Sequence, residues 1–443
     1  MKLLKSLYIT NRFFSACIGL VLLFVVFFIL DLAPGPLKIL FFLFLAIVFT
    51  DALLLFRTRK GMDGGRMVAE KLSNGDENKV TIYLESFYPF NVSLRVFEEI
   101  PHQFQRRDVE FQLSVKPGEK KHLDYTLRPV KRGEYSFGAV NVLVASPLGL
   151  LRRRFRFDQD KMVPVYPSYI QMRKYELLAI SQNLQNSGIK RIRKIGHNQE
   201  FELIKEYVMG DDFRTVNWKA TARKSKLMVN QYQDERSQQV YSLIDKSRVM
   251  QMPFAEMSLL DYAINASLVI SNIAIKKSDK AGLVTFQEKI NTLLPAARKN
   301  NQMAVIQENL YRQKTAFLES DYSALYVGLR KALSQRSLLL LFTNFESVYA
   351  LQRQLPYLIS LANQHLLVVI FFENTELAKL IDEPSTDLRQ VYHQAIAERL
   401  AFEKKLIVKE LQKFGIHSIL TSPQKLTINT INKYLELKAR NLI

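Results

Sequence analysis

Apolar and polar positions change rhythm three times along the chain. From Phe13 to Leu32 the sequence FFSACIGLVLLFVVFFILDL is almost uncharged, the length of a bilayer-spanning helix of about 20 residues. A second run, Leu37 to Phe56, is broken mainly by Lys38 at its edge and by Asp51. Ala33-Pro34-Gly35-Pro36 between them is a turn signal that helix interiors avoid. Residues 1–60 are therefore predicted to form a transmembrane hairpin. A cleaved signal peptide would have a shorter apolar core followed by a small-residue cleavage site, and here a second span follows at once.

From about Met67 to Tyr169 the pattern shortens to alternating runs such as VTIYLESF, VEFQLSVK and RRRFRFD, with turn signals at Asn74-Gly75, Pro117-Gly118 and Arg132-Gly133. Period-two alternation of this kind predicts an antiparallel β-sandwich over 61–170. From about Gln238, apolar runs (VYSLID, AGLVTF, SLLLLFT, LLVVIFF, HSILTS) alternate with helical spacing, as in LLDYAINASLVISNIAI and Val391–Phe414. Fully apolar strands between helices imply a mostly parallel sheet covered on both faces, so 237–443 is predicted to be a doubly wound α/β domain. The connecting segment 171–236 is polar and basic, with the cationic run Gly188–Gly196.

Charge sharpens the topology. The net formal charge is +20, which first suggests an anionic partner. Lys2, Lys5 and Arg12 precede the first run, however, and Arg57, Arg59 and Lys60 follow the second. The positive-inside rule then puts both termini and the domains in the cytoplasm. The clusters Arg152-Arg153-Arg154 and Lys190–Lys194 suit a surface of anionic lipid. Nucleic acid is not expected, since the cations do not interleave with a stacking aromatic platform. One cysteine, Cys17, excludes an internal disulfide framework.

Glu200 to Arg223 reads EFELIKEYVMGDDFRTVNWKATAR. It resembles the hallmark of the bacterial domain of unknown function family fifty-eight, EF-x-x-L-R-x-Y-x-x-GD-x-x-R-x-I-x-W-x-x-x-AR. The matching positions are Glu200, Phe201, Tyr207, Gly210, Asp211, Arg214, Trp218, Ala222 and Arg223, with Ile204-Lys205 replacing the usual Leu-Arg. Arg132-Gly133 and Ser146-Pro147-Leu148-Gly149-Leu150 are similar to a second family stretch, with Ser146 where Asp is common. By residue type, Gly210 suits a positive-φ turn before an aspartate-capped helix. Arg214 and Arg223 suit pairing with nearby acids, and Trp218 suits a packing anchor. The segment reads as a structural lock, with a partner-binding surface as the alternative.

The resemblance further implies a C-terminal domain similar to von Willebrand factor A domains, which hold a divalent cation through Asp-x-Ser-x-Ser, a Thr and a later Asp. Here the first motif is Asp245-Lys246-Ser247-Arg248-Val249, and Asn344 stands at the later Asp. One carboxylate and one hydroxyl are lost, and two cations join the loop, so Mg²⁺ is disfavoured and no cofactor is expected. Asp245, Ser247 and Asn344 are the residues of this degenerate metal site.

No catalytic constellation is recognised. Gly-x-Ser-x-Gly, phosphate-loop and His-Glu-x-x-His motifs are absent from the sequence, and the six histidines show no paired spacing. The expectation is a multi-pass protein of the bacterial inner membrane that is not an enzyme. It would be an adaptor that binds other proteins through loops around Asp245–Met250 and Asn344–Ser347. The resemblance implies a MoxR-type AAA+ ATPase as partner, in protein assembly or maturation, with no small-molecule substrate. The alternatives are a hydrolase using Asp211 and Asp212 with Arg214, or a protein binding anionic lipid or nucleic acid.

Overall fold

The computed structural model describes the chain except at residues 1–5, 33–34, 59, 107–108, 159, 181–198, 210, 212, 235–236, 383–386, 441 and 443. Two compact units result, Met1–Tyr166 and Pro167–Ile443. The run Gly188–Gly196, Gly210 and Asp212 lie outside the described residues.

The first unit opens with β1 (Leu7–Ile9), followed by α1 (Asn11–Ile29) and α2 (Gly35–Arg57). Both helices are long and apolar enough to cross a membrane, and 0% and 11% of their most apolar stretches are buried within the protein. Ten strands follow: β2 (Met62–Met67), β3 (Leu72–Ser73), β4 (Asn78–Ser86), β5 (Val92–Glu98), β6 (Glu110–Val115), β7 (Lys120–Leu127), β8 (Gly133–Phe137), β9 (Val140–Ala145), β10 (Leu151–Phe157) and β11 (Lys161–Tyr166). They form sheets ordered β1-β10-β9-β5-β6, β2-β4-β7 and β3-β11-β8. Alternation explains the layering. Along β4, Val80, Ile82 and Leu84 are buried while Lys79, Thr81, Tyr83 and Glu85 keep some exposure.

The helix pair is anchored to these strands at both ends. Before α1, β1 pairs with β10, Leu7 opposite Arg153. At the far end of α2, Leu55 is buried among Met62, Leu84, Tyr88 and Val144. The interruption at Asp51 now has a reason: its buried carboxylate accepts from Ser146 Oγ and from the amides of Leu150 (3.0 Å) and Leu151 (2.8 Å). An unpaired carboxylate would be expensive in an apolar helix, and these donors supply its partners.

The second unit contains α3 (Tyr169–Ile180), an antiparallel ribbon of β12 (Gln199–Glu206) and β13 (Met228–Asp234) with α4 (Trp218–Lys224) between, and the central strand β14 (Gln239–Asp245). After the small pair β15 (Pro253–Phe254) and β16 (Met257–Ser258) come α5 (Leu259–Lys276), β17 (Lys280–Phe286), β18 (Ile290–Ala297), α6 (Gln302–Tyr311) and α7 (Tyr322–Ala332). The chain ends with β19 (Leu338–Phe342), α8 (Val348–Gln364), β20 (Leu366–Phe372), α9 (Thr375–Asp382), α10 (Leu388–Lys413), β21 (His417–Thr421) and α11 (Leu426–Ala439).

The main sheet runs β18-β17-β14-β19-β20-β21. It is parallel except for β18, which pairs antiparallel to β17 at one edge. One face is covered by α5, α6 and α11, where Ile244, Leu340 and Ile370 meet Ile264, Ile306 and Tyr434. The other carries Leu243, Leu341 and Val369 against Leu325 of α7, Leu358 of α8 and Ile407 of α10. Helix α5 matches a membrane span by length and composition, yet 83% of that stretch is buried here, so its apolarity serves the core. The whole is a mixed α/β fold with several β-sheets, one of them largely parallel, and two N-terminal apolar helices.

Candidate functional site

Parallel strands place their carboxyl ends, and the loops that follow, on one edge, where doubly wound sheets bind ligands. Asp245 ends the central strand β14 there and is fully buried. Its Oδ1 accepts from the Ser247 amide (2.9 Å), and its Oδ2 from the hydroxyls of Thr343 (2.7 Å), Ser320 (3.3 Å) and Tyr322 (3.4 Å). Burial pushes the Asp245 carboxyl above its ordinary range, against the pull of hydrogen bonds from Thr343 and Ser247. Burial and the neighbouring Asp245 likewise raise the Tyr322 phenol.

A strap of residues 314–320 lies over this carboxylate. Lys246 Nζ donates to the Lys314 carbonyl (3.2 Å), Thr315 Oγ1 to the Lys246 carbonyl (2.7 Å), and the Arg248 amide to the Leu318 carbonyl (3.2 Å). Lys246, Ser247 and Met250 are buried beneath it, and Arg248 is exposed beside Glu319 at 3.4 Å. Most of the loop expected to meet a partner is thus internal.

Asn344 follows β19 and is occupied otherwise. Its Oδ1 accepts from Lys404 Nζ of α10 at 2.7 Å, and the same ammonium donates to the Phe345 carbonyl. Burial lowers Lys404 to about 8, with Glu346 opposing the shift. Of the expected triad, Asp245 and Ser247 meet each other, while Asn344 binds a lysine and, at 3.4 Å, the Val249 carbonyl. A hard dication is held by several oxygen ligands, usually more than one of them carboxylate. This donor set offers one carboxylate, already hydrogen-bonded on both oxygens, and an amide oxygen bound to a cation. It does not fit the ion. Among the described residues no group of three His, Cys, Asp or Glu side chains converges on a point that could hold a metal.

Beside Lys404 the edge opens into a cavity of about 470 Å³ between α9, α10 and the ends of β19 and β20. Met252, Phe254, Phe372, Leu377, Ile381 and Leu400 supply apolar wall, and Glu373, Glu376 and Lys405 add charge. Thr343, Ser320, Tyr322 and Lys404 were not singled out in the sequence. They reach the edge from positions 60 to 98 residues away from their partners, a separation no local motif reports.

The hallmark segment sits elsewhere, on the β12–β13 ribbon. Glu200 and Phe201 lie in β12 opposite Gln233 and Tyr232. The Tyr207 amide donates to the Leu227 carbonyl (2.8 Å), and its ring meets Phe213 edge-on at 5.5 Å. Asp211 accepts from Lys205 (2.9 Å) and from the Val208 amide (3.0 Å), and the Lys205 hydrogen bond holds its carboxyl below the usual range. Phe213–Thr215 form a short 3-10 turn, and Asn217 caps α4, accepting from the Ala220 amide at 3.0 Å; the expected cap at Asp212 lies outside the described residues. Trp218 is no packing anchor, being 67% exposed, and Met209 is 98% exposed. Arg214, Ala222 and Arg223 are exposed as well.

The edge site and the exposed ribbon both belong to the α/β unit. The family model described as "Protein of unknown function DUF58" matches residues 204–405, and over that segment the chain is similar to this family. The chain is 29% identical over 261 residues to the "Uncharacterized protein YeaD" of Bacillus subtilis (strain 168), an alignment taking 57% of this chain. It spans 63% of that relative's length. Among solved structures, the conserved hypothetical protein BatB from Bacteroides thetaiotaomicron aligns over 46% of this chain and all of its own, at 13% identity and a TM-score of 0.30. The PapD-like domain 7 of human CEP192 aligns over 24% of this chain and 84% of its own, at 11% identity and a TM-score of 0.19. Scores at that level carry no conclusion about fold or function.

Proposed function

We propose that the protein is a membrane-anchored adaptor whose α/β domain docks a partner protein at the carboxyl edge of its main sheet, without a bound dication. The observation that carries this reading is the edge itself: an apolar cavity with a charged rim, beside a buried aspartate that hydroxyl groups saturate. A von Willebrand factor A-like origin accounts for Asp245 at the tip of the central strand and for the single antiparallel edge strand. In this chain the ammonium of Lys404 lies against Asn344 at that edge. Helices α1 and α2 provide the anchor. The ties of β1 and of Asp51 to β10 support a hairpin whose two polar ends share one side of the bilayer, and the flanking cations support the cytoplasm as that side.

The partner implied by the resemblance is a MoxR-type AAA+ ATPase, with assembly or maturation of other proteins as the process. The hydrolase alternative has less support, because Asp211 is committed to Lys205 and a backbone amide on the surface. Affinity purification of the full-length protein from native membranes tests the reading. The ATPase is expected with the parent, with or without EDTA, and Leu377→Arg at the cavity wall should cut its recovery by about tenfold, the loss a buried charge in an interface core produces. Equal recovery with that variant, or loss on chelation, would contradict it.

A further inference from the structure

The first unit contains a second cavity, of about 670 Å³, where β1 hands over to α1. Its wall carries three arginines from three elements: Arg12 in the first turn of α1, Arg95 on β5 and Arg152 on β10. Arg95 Nε is paired with Glu110 at 2.7 Å. Among the described residues the guanidinium of neither Arg12 nor Arg152 makes a hydrogen bond or ion pair. The first turn of α1 has no acidic residue to offset them.

This crowding of like charge is built in. Thr10 fixes the entry to α1 by donating its hydroxyl to the carbonyls of Gly149 (2.7 Å) and Leu150 (2.9 Å). Gly149, at φ +69°, leaves room for the Arg12 guanidinium, since a Cβ there would lie 2.9 Å from Arg12 Nη1. Asp51, through Ser146 and the amides of Leu150 and Leu151, pins the same loop from the other side. Burial, with Arg95 and Arg12 nearby, pushes Arg152 below the usual arginine range, against the pull of Glu110. Guanidinium groups left facing a polar cavity are suited to an oxyanion that accepts from several N–H groups at once. The depth selects the oxyanion, because the start of a spanning helix lies at the level of lipid phosphates.

We propose that Arg12, Arg95 and Arg152 form a binding site for the phosphodiester of an anionic phospholipid at the point where α1 enters the bilayer. The site rests on the reading of α1 as a membrane span. A zwitterionic choline lipid carries the same phosphodiester beside a quaternary ammonium, which the three arginines repel, so the preference is for a net negative headgroup.

Native mass spectrometry of the delipidated full-length protein in neutral detergent, titrated with dioleoyl phosphatidylglycerol or dioleoyl phosphatidylcholine, tests this. The glycerol lipid is expected to bind about tenfold more tightly, and Arg12→Gln or Arg152→Gln to remove about that preference. Arg12 is exposed and outside the β core, so Arg12→Gln should keep the parent's thermal midpoint if Arg152→Gln does not. No preference in the parent, or full preference in a folded Arg12→Gln protein, overturns the proposal. Inorganic phosphate that binds with the same arginine dependence and displaces the lipid would uphold the phosphate chemistry and reassign its source to a soluble ester. Extraction at alkaline pH separates the two readings: release from membranes contradicts the span, whereas an inserted protein without lipid preference contradicts only the site.

Discussion

Lys404 carries the most informative titration at the edge. Folded, it holds its proton with a pKa of about 8, against an ordinary lysine value of 10.5. Between those values the unfolded chain binds more protons, so folding stability rises with pH from about 8 to about 10.5 and loses that contribution as pH falls through 8. Urea unfolding across this range should show the rise in the parent and a flatter profile in Lys404→Met. An identical slope in both would remove Lys404 as its source. Asp245 and Asn344 were legible through the resemblance to a known motif, each standing at the end of an apolar run that became a strand, β14 and β19. Lys404 was not, since it sits mid-helix in α10 among other charged residues and gains its meaning only when α10 brings it to the loop after β19. Asn344, standing where a carboxylate was expected, accepts from the Lys404 ammonium.

At the scale of elements, period is what the sequence reports best. The alternating runs became β4 to β11, and the apolar runs became the parallel strands β14, β17, β19, β20 and β21. The ribbon β12–β13 was hidden because apolar and polar residues follow no strict alternation along QEFELIKE and MVNQYQD, so the sequence marks no face. The helix α7 has its buried set at Tyr322, Leu325 and Leu329, a weak stripe between polar residues. The antiparallel edge strand β18 lacks apolar continuity, with much of its length partly exposed. The charge in the second apolar run proved to join two elements. Asp51→Ala would leave the buried amides of Leu150 and Leu151 without acceptors and should cost about 2–4 kcal/mol, read as a lower thermal midpoint in detergent. Asp51→Asn, which keeps an oxygen acceptor, should cost less. Equal midpoints for the alanine variant and the parent would show that the loop–helix junction does not depend on this carboxylate.

For the molecule as a whole, arginines gather at the outer ends of the two apolar helices. Arg12, Arg95 and Arg152 cluster around the entry to α1, and Arg153 donates to the carbonyls of Leu55 and Thr58 at the exit from α2. The same charge count read from composition alone pointed toward nucleic acid, and only placement along the fold separates the two. The hallmark segment tells a complementary story: its exposed Met209, Phe213 and Trp218 favour a surface for recognition over an internal lock. The central claim remains the carboxyl edge of the main sheet. A photo-crosslinking amino acid at Glu376, on the cavity rim, and one at Ser334, at the opposite edge before β19, compare the two ends directly in native membranes. Crosslinks to one ATPase from position 376 alone, unchanged by EDTA, are the predicted result. Crosslinks from position 334 instead, or dependence on a divalent cation, would contradict the account.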